Sequence, residues 1–158
     1  MIVEGGRVIR TPWVYDDGGR KAAGFKGHTG DCVTRSIAIA TQIPYLEVYA
    51  GLNETAKRER PRGSRKRSSS RTGIARPTIK RYLEGVLGWL WWPTMGIGTG
   101  CKIHLRPDEL PSGRLVVSCS RHLVAMIDGV IHDTHDPSRG GTRCVYGYWQ
   151  SPEVWRAR

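Results

Sequence analysis

The sequence predicts an α+β domain whose N-terminal helices pack on a mostly antiparallel C-terminal sheet. Apolar residues recur at helical spacing between residues 32 and 87, whereas the later chain holds short β-prone runs separated by turn residues. Helices followed by strands are typical of this fold class. The chain has 158 residues, 39% of them hydrophobic, so we predict one domain over residues 1–158 with a core of its own.

Three helices are predicted in the first half of the chain. The first covers about residues 32–41 and has Asp31 as a suitable N-cap. The second begins at Tyr45, directly after Pro44, and ends near residue 56. The third covers residues 76–87 and carries an apolar stripe on one face.

The strongest strand signal is a hairpin near the C-terminal end. Two apolar runs, residues 122–127 and 130–133, flank the dipeptide Asp128-Gly129, which is typical of a tight type I′ turn. Weaker patterns predict further strands at residues 11–15 (an edge strand), 89–93, 101–105, 114–118 and 145–149.

Most of the positive charge lies in one segment. The formal net charge is +11, and residues 57–71 hold eight basic residues and one acid, Glu59. This segment has almost no apolar residue, so we predict residues 57–72 as a flexible basic loop inserted between helices. It is either a solvated insert or an arm for an acidic partner such as nucleic acid, although no aromatic is interleaved for base stacking. The residues proposed for such binding are Arg62, Arg65, Lys66, Arg67 and Arg71.

The four cysteines form no CxxC pair, which argues against a zinc ribbon or a redox motif. No signal-peptide core and no membrane-spanning run is visible, so we expect a cytoplasmic protein with no membrane partner and with thiols rather than disulfides. His132 and His135 lie three positions apart on a predicted strand and turn, where their side chains point to opposite faces. We therefore predict no metal site and no cofactor.

Cys32 is the candidate nucleophile. It falls in the first turn of the predicted helix, where unpaired backbone N–H groups and the helix dipole stabilise a thiolate. A thiolate attacks carbonyl carbon, and the N–H of Cys32 would point toward the developing oxyanion. The alternative is a buried, inert cysteine at a helix start.

The predicted hairpin supplies a candidate base and a group to orient it. His122 begins the first strand, and Asp133 on the returning strand is its diagonal neighbour on the same face. This arrangement suits an imidazole whose second nitrogen is held by a carboxylate. Asp136 competes for the orienting role, and the alternative is that neither group meets Cys32.

These segments together resemble the papain-like cysteine peptidase superfamily. The resemblance is carried by residues 30–38, around Cys32, and by residues 122–134, and it is nearest to small bacterial and phage-type members near the C39-like peptidases. It implies a papain-like fold with Cys32 as nucleophile, His122 as general base and acid, and Asp133 as the orienting carboxylate. It also implies a peptide or protein substrate.

Papain-like enzymes usually carry a Gln a few residues before the cysteine as an oxyanion donor, and residues 26–31 contain none. Lys26, His28 or Thr29 is a candidate replacement, beside backbone N–H groups. The leading hypothesis is a thiol hydrolase that cleaves a peptide, isopeptide or related acyl amide through an acyl-enzyme on Cys32. The alternatives are an inactive papain-like binding module and a nucleic-acid-binding accessory protein that acts through residues 57–71.

Overall fold

The computed structural model describes residues 2–4, 7–27, 30–60 and 66–153, which form an α+β arrangement. This confirms the predicted fold class at the level of α+β. The helices are α1 (Cys32–Thr41), α2 (Tyr45–Ala56) and α3 (Arg76–Lys80), and α3 continues as a π-helical segment (Arg81–Val86). The strands are β1 (Ile2–Glu4), β2 (Arg7–Ile9), β3 (Trp13–Tyr15), β4 (Leu90–Pro93), β5 (Arg114–Cys119), β6 (His122–Ile127), β7 (Val130–Asp133) and β8 (Gly147–Gln150).

Six of the strands form one sheet in the order β3-β7-β6-β5-β8-β4, and β1 and β2 form a separate antiparallel pair. Every neighbouring pair in the six-stranded sheet is antiparallel except β3–β7, which is parallel. The predicted mostly antiparallel sheet is therefore confirmed. The predicted edge strand lies at one margin of this sheet as β3. Among the described residues, none of the helices has the length and apolar character needed to cross a membrane.

The central strands are buried on both faces, which explains why their sequences are nearly continuous apolar runs. Successive side chains of a strand point to opposite faces, so Ala125 of β6 faces the helices while Met126 faces away from them. The core on the helical face includes Ile37, Leu52, Leu83, Ala125 and Trp149. The core on the other face includes Leu105, Leu115, Met126, Ile131 and Val145.

The β6–β7 hairpin has the predicted turn and register. Asp128 has a φ of 48° and Gly129 a φ of 79°, and a type I′ turn requires positive φ at both positions. Ile127 pairs with Val130, and Ala125 pairs with His132. The first residue of β6 and the last residue of β7 therefore lie at the same end of the hairpin.

Two expectations from the sequence are wrong in the region before β5. Residues 101–105 form no strand, and an isolated bridge between His104 and Cys144 ties this segment to the chain before β8. The bridge brings Cys101 next to Cys144, and the two form a disulfide with their Cα atoms 5.7 Å apart. Thiols therefore remain at Cys32 and Cys119, rather than at all four cysteines.

Candidate active site

Cys32 is the first residue of α1, and this position gives its thiol two polar neighbours. The side chain is partly buried against the core on the helical face. The His122 ring and the backbone N–H of Leu123 are its polar neighbours, and both favour the thiolate by lowering the pKa of Cys32. Because α1 begins here, the N–H groups of its first turn lie outside the helical ladder, and the helix dipole favours negative charge on the sulfur.

His122 and Asp133 form a buried imidazole–carboxylate pair. Nε2 of His122 lies 2.7 Å from Oδ2 of Asp133, and the two side chains are only 11% and 5% exposed. The hairpin register places Val124 opposite Asp133, so His122 is diagonal to the carboxylate as expected. Because Nε2 is engaged by Asp133, Nδ1 is the ring nitrogen left for the thiol of Cys32.

The three groups change one another's pKa values. Burial alone would raise the pKa of Cys32, but hydrogen bonds from His122 and the Leu123 N–H, with the charge on His122, hold that pKa below its usual value. Burial opposes protonation of His122, yet its bonds to Asp133 and Cys32 raise its pKa to about 9. Burial also opposes ionisation of Asp133, whose pKa is nevertheless lowered by the bonded imidazole. These directions favour a thiolate–imidazolium pair over a neutral thiol and imidazole.

A buried arginine, Arg35, holds the second oxygen of Asp133. Its Nη1 donates to Oδ1 of Asp133 at 3.0 Å and to Oγ1 of Thr134 at 2.8 Å. The Thr134 N–H donates to the same carboxylate oxygen at 2.7 Å. With both oxygens of Asp133 bonded, the carboxylate is fixed in the orientation that faces His122.

Asp31 anchors this arginine instead of capping α1. Its carboxylate is buried and accepts hydrogen bonds from Arg20 at 3.0 Å, Arg35 at 3.0 Å and the hydroxyl of Tyr45 at 2.7 Å. Asp31 occupies the N-cap position, but its side chain makes no capping bond, so the expected capping role is wrong. The two guanidinium groups and the phenol engage both carboxylate oxygens. Burial and the bond to Asp31 raise the pKa of Tyr45, which keeps its hydroxyl a donor.

The hydrogen bonds of the two candidate orienting carboxylates distinguish their roles. Oδ1 of Asp136 accepts hydrogen bonds from the backbone N–H of Ser138 at 3.0 Å and from its hydroxyl at 2.7 Å. These bonds lie within the turn of Asp136 itself, whereas Asp133 bonds His122 directly. The geometry therefore favours Asp133 for this role.

The predicted oxyanion donors are placed only in part. Lys26 has an exposed side chain, and its backbone carbonyl accepts a hydrogen bond from Arg71 at 2.6 Å. His28 and Thr29 lie outside the described residues. The role of all three stays a prediction, and the backbone N–H of Cys32 is a donor that α1 itself places at the nucleophile.

The end of the predicted basic loop is packed on the domain. Ser70 is 1% exposed, and its carbonyl accepts a hydrogen bond from the hydroxyl of Thr34 on α1 at 2.8 Å. Its own N–H and hydroxyl are bonded to Asn53 and to the carbonyl of Tyr49 on α2. Of the proposed binding residues, Lys66 and Arg67 are exposed, Arg71 is half-buried, and Arg62 and Arg65 lie outside the described residues.

One group of described side chains has metal-ligating atoms close together. These atoms of His122, Asp133 and His135 all lie within 4.8 Å of one another. Both oxygens of Asp133 are already bonded, one to His122 and one to Arg35. A cation here would compete with the arginine for the carboxylate, so the donor set fits a hydrogen-bonded pair better than a metal. His132 lies apart from this group, with Nδ1 3.6 Å from Oδ2 of Asp16.

The residues that the sequence analysis did not predict are the arginines that hold Asp133 and Asp31 in place. Arg35 of α1 lies four positions after the N-cap residue Asp31, and this spacing alone predicts an ion pair. The bonds of Arg35 to Asp133 and of Arg20 to Asp31 have no comparable signal in the sequence.

Comparisons of the chain with protein-family models, with curated proteins and with solved structures gave no match. Function is therefore inferred from the geometry of the site.

Proposed function

We propose that this chain is a papain-like thiol hydrolase that cleaves an acyl amide, such as a peptide or isopeptide bond of a protein substrate. One observation carries the proposal: Cys32 begins α1 beside His122, whose ring helps to lower the pKa of the thiol, and Nε2 of that ring is held by buried Asp133. A nucleophile on a helix, packed against a mostly antiparallel sheet that bears the base and its orienting group, also suits the papain-like arrangement.

In the first half of the proposed reaction, the sulfur of Cys32 attacks the carbonyl carbon of the amide. The C–S bond forms while the carbonyl electron pair moves to oxygen, and the backbone N–H of Cys32 donates to that oxyanion. The oxyanion then collapses and the C–N bond breaks. His122 gives its Nδ1 proton to the leaving nitrogen, which leaves a thioester on Cys32 and a neutral imidazole.

In the second half, neutral His122 takes a proton from water while the water oxygen attacks the thioester. The C–S bond breaks and the acyl product leaves as a carboxylic acid, which restores the thiolate and the imidazolium. Asp133 keeps its proton state and holds the imidazole in the orientation that both half-reactions need.

The direct test is a panel of peptide and isopeptide aminocoumarin amides, with released coumarin followed by fluorescence and acyl-enzyme followed by intact mass. We expect turnover and an acyl adduct on Cys32, no thioester in Cys32→Ser, and turnover at least about a hundredfold slower in His122→Gln. Cys119→Ser is the matched control, because burial raises the pKa of that thiol to about 11 and it should not take part. Equal turnover in Cys32→Ser and the unaltered protein would contradict the proposal.

A second candidate function, an inactive binding module, is favoured by one observation. The segment before Cys32 has no Gln, and the side chain of Lys26 is exposed. The binding-module function is supported if a peptide of the panel binds without forming an acyl adduct and Cys32 is alkylated no faster than an ordinary thiol.

A further inference from the structure

We propose that basic side chains on both sides of the Cys32–His122 pair form a recognition surface for an acidic polypeptide. This inference rests on the proposed function, and it predicts that the substrate is a protein with acidic residues beside the bond that is cleaved. The surface, named here the basic collar, consists of Lys26, Arg67 and Arg71 on the cysteine side and Arg121, Arg139 and Arg143 on the histidine side.

On the cysteine side, the end of the basic segment is fixed against the start of α1. The carbonyl of Ser70 accepts a hydrogen bond from Thr34, two residues after Cys32. A Cβ atom added to Gly30 would lie only 2.7 Å from the carbonyl oxygen of Thr72. The backbone on both sides of Arg71 therefore touches the chain on both sides of Cys32.

Arg71 also contacts Lys26, the second basic residue on this side of the collar. Its Nη2 donates to the carbonyl of Lys26 at 2.6 Å, and its guanidinium lies over the ring of Phe25, 5.0 Å from the centroid. Arg67 is exposed on the same segment, and the acid that its charge acts on is Glu59, which accepts a hydrogen bond from the Ser68 N–H at 3.1 Å and leaves this side with three basic side chains against one carboxylate. The cysteine side thus presents a positive field.

On the histidine side, the turn between β5 and β6 carries Arg121 directly before His122. Arg121 is exposed and has a φ of 55°, in the left-handed region. Nη2 of Arg143 donates to the carbonyl of Ser120 in the same turn at 2.6 Å. This contact holds a second guanidinium beside the turn.

Arg139 joins this side through a turn in which the Arg143 N–H donates to the carbonyl of Ser138 at 3.0 Å. Cys119 is the cross-strand partner of His122, and the positive charges of Arg143 and Arg139 both act on its thiol. Neither residues 119–122 nor residues 138–144 contain an acidic side chain. The cysteine side and the histidine side of the collar are therefore both positively charged. Their field attracts a negatively charged ligand toward the Cys32–His122 pair.

An acidic polypeptide fits this surface better than a nucleic acid does. The thiolate chemistry needs an acyl carbonyl, which a phosphodiester backbone lacks. Base stacking needs open aromatic faces. Phe25, the aromatic side chain in contact with Arg71, is covered by that guanidinium and stacked on Tyr49 at 5.0 Å between ring centroids.

The experiment measures binding of a fluorescein-labelled Glu/Ala peptide to the full chain carrying Cys32→Ser, by fluorescence anisotropy. The collar variant is Lys26→Gln with Arg67→Gln and Arg121→Gln. The matched control is Arg10→Gln with Lys80→Gln and Lys102→Gln, all exposed outside the collar, and both sets lower the formal net charge from +11 to +8. We expect the collar variant to bind about tenfold more weakly and the control to bind as before, with affinity that falls as salt rises.

Equal weakening in the two variants would overturn the collar, because net charge alone would then explain binding. Tighter binding of a single-stranded oligonucleotide of equal charge would overturn the choice of a polypeptide. A second readout uses the chain with Cys32 intact and compares alkylation by anionic iodoacetate and neutral iodoacetamide. The ratio of the two rates should fall in the collar variant alone, and an unchanged ratio would mean that the collar does not act at the thiol.

These readouts separate the collar from the proposed function. If Cys32 reacts fast but the peptide does not bind selectively, the collar proposal is contradicted and the hydrolase proposal stands. Selective peptide binding to a chain whose Cys32 is inert supports the collar as a binding surface and removes the hydrolase.

Discussion

Arg35 ties the carboxylate of the candidate site to the rest of the domain. Its guanidinium bridges Asp31 and Asp133 at 3.0 Å on each side, and Arg20 supplies a second positive charge to Asp31. Charges removed from water are tolerated only when they are paired and hydrogen-bonded. The four side chains form a balanced buried set, and the orientation of His122 depends on it through Asp133.

Replacing Arg35 should therefore lower both stability and thiol reactivity. Arg35→Gln is expected to lower the free energy of unfolding by about 3 kcal/mol, because two buried carboxylates lose their shared cation. Arg35→Lys keeps the charge but cannot donate from two nitrogens of a planar fork, so an intermediate loss is expected. Urea denaturation gives the stability, and the alkylation rate of Cys32 gives the reactivity.

The control for this change is Arg114→Gln, which removes a more exposed arginine paired with Glu153 at 3.0 Å. Such a pair contributes about 0–1 kcal/mol, and Cys32 should react as before. An Arg35→Gln protein as stable and as reactive as Arg114→Gln would refute the bridging role.

At the scale of elements, the sequence predicted the parts whose signals are local. The helix that starts at Cys32 follows from apolar spacing, and the β6–β7 hairpin follows from Asp128-Gly129 between two apolar runs. Because strand side chains alternate, that hairpin also predicted that His122 and Asp133 share a face. The meeting of Cys32 with His122 needed a tertiary step, namely how α1 sits on β6, which no local pattern contains.

The elements that sequence reasoning misjudged depend on distant partners. Asp31 is a good capping residue by type, yet two arginines and Tyr45 compete successfully for its oxygens. Residues 101–105 alternate like a strand, yet their pairing with the chain before β8 is a single isolated bridge beside a disulfide. In both places the local pattern was compatible with the prediction, and a long-range contact decided the outcome.

At the scale of the whole molecule, the Cys101–Cys144 disulfide closes a long loop. The two cysteines are 43 residues apart and enclose β5, β6 and β7, with His122 and Asp133. A cross-link of this span restricts the unfolded chain and is worth up to about 4 kcal/mol in the chain-entropy model. Its effect falls on stability rather than on the site, because neither sulfur contacts the candidate residues.

Cys101→Ser with Cys144→Ser should therefore lower the free energy of unfolding by about 2–4 kcal/mol and leave the alkylation rate of Cys32 unchanged. Dithiothreitol added to the unaltered protein should reproduce the loss in urea denaturation. Cys119→Ser, which leaves the disulfide in place, should respond to dithiothreitol like the unaltered protein. Equal stability in the oxidised and reduced chains would argue against this disulfide.

The measurement that tests the central claim most directly is the pH dependence of Cys32 alkylation by iodoacetamide, mapped by mass spectrometry in the unaltered protein and in His122→Gln. The pKa of Cys32 is lowered, so its thiolate is present below the pH where an ordinary thiol ionises. The pKa of His122 is raised to about 9, so the imidazolium persists to alkaline pH. The ion pair therefore spans the interval between the two values.

In the unaltered protein we expect alkylation that begins below the pH where an ordinary thiol ionises and stays nearly constant until His122 titrates near pH 9. In His122→Gln the rate should rise only where an unassisted thiol ionises. If both proteins instead show the same single rise near the ordinary thiol value of 9.0, Cys32 and His122 do not form an activated pair, and the hydrolase proposal fails.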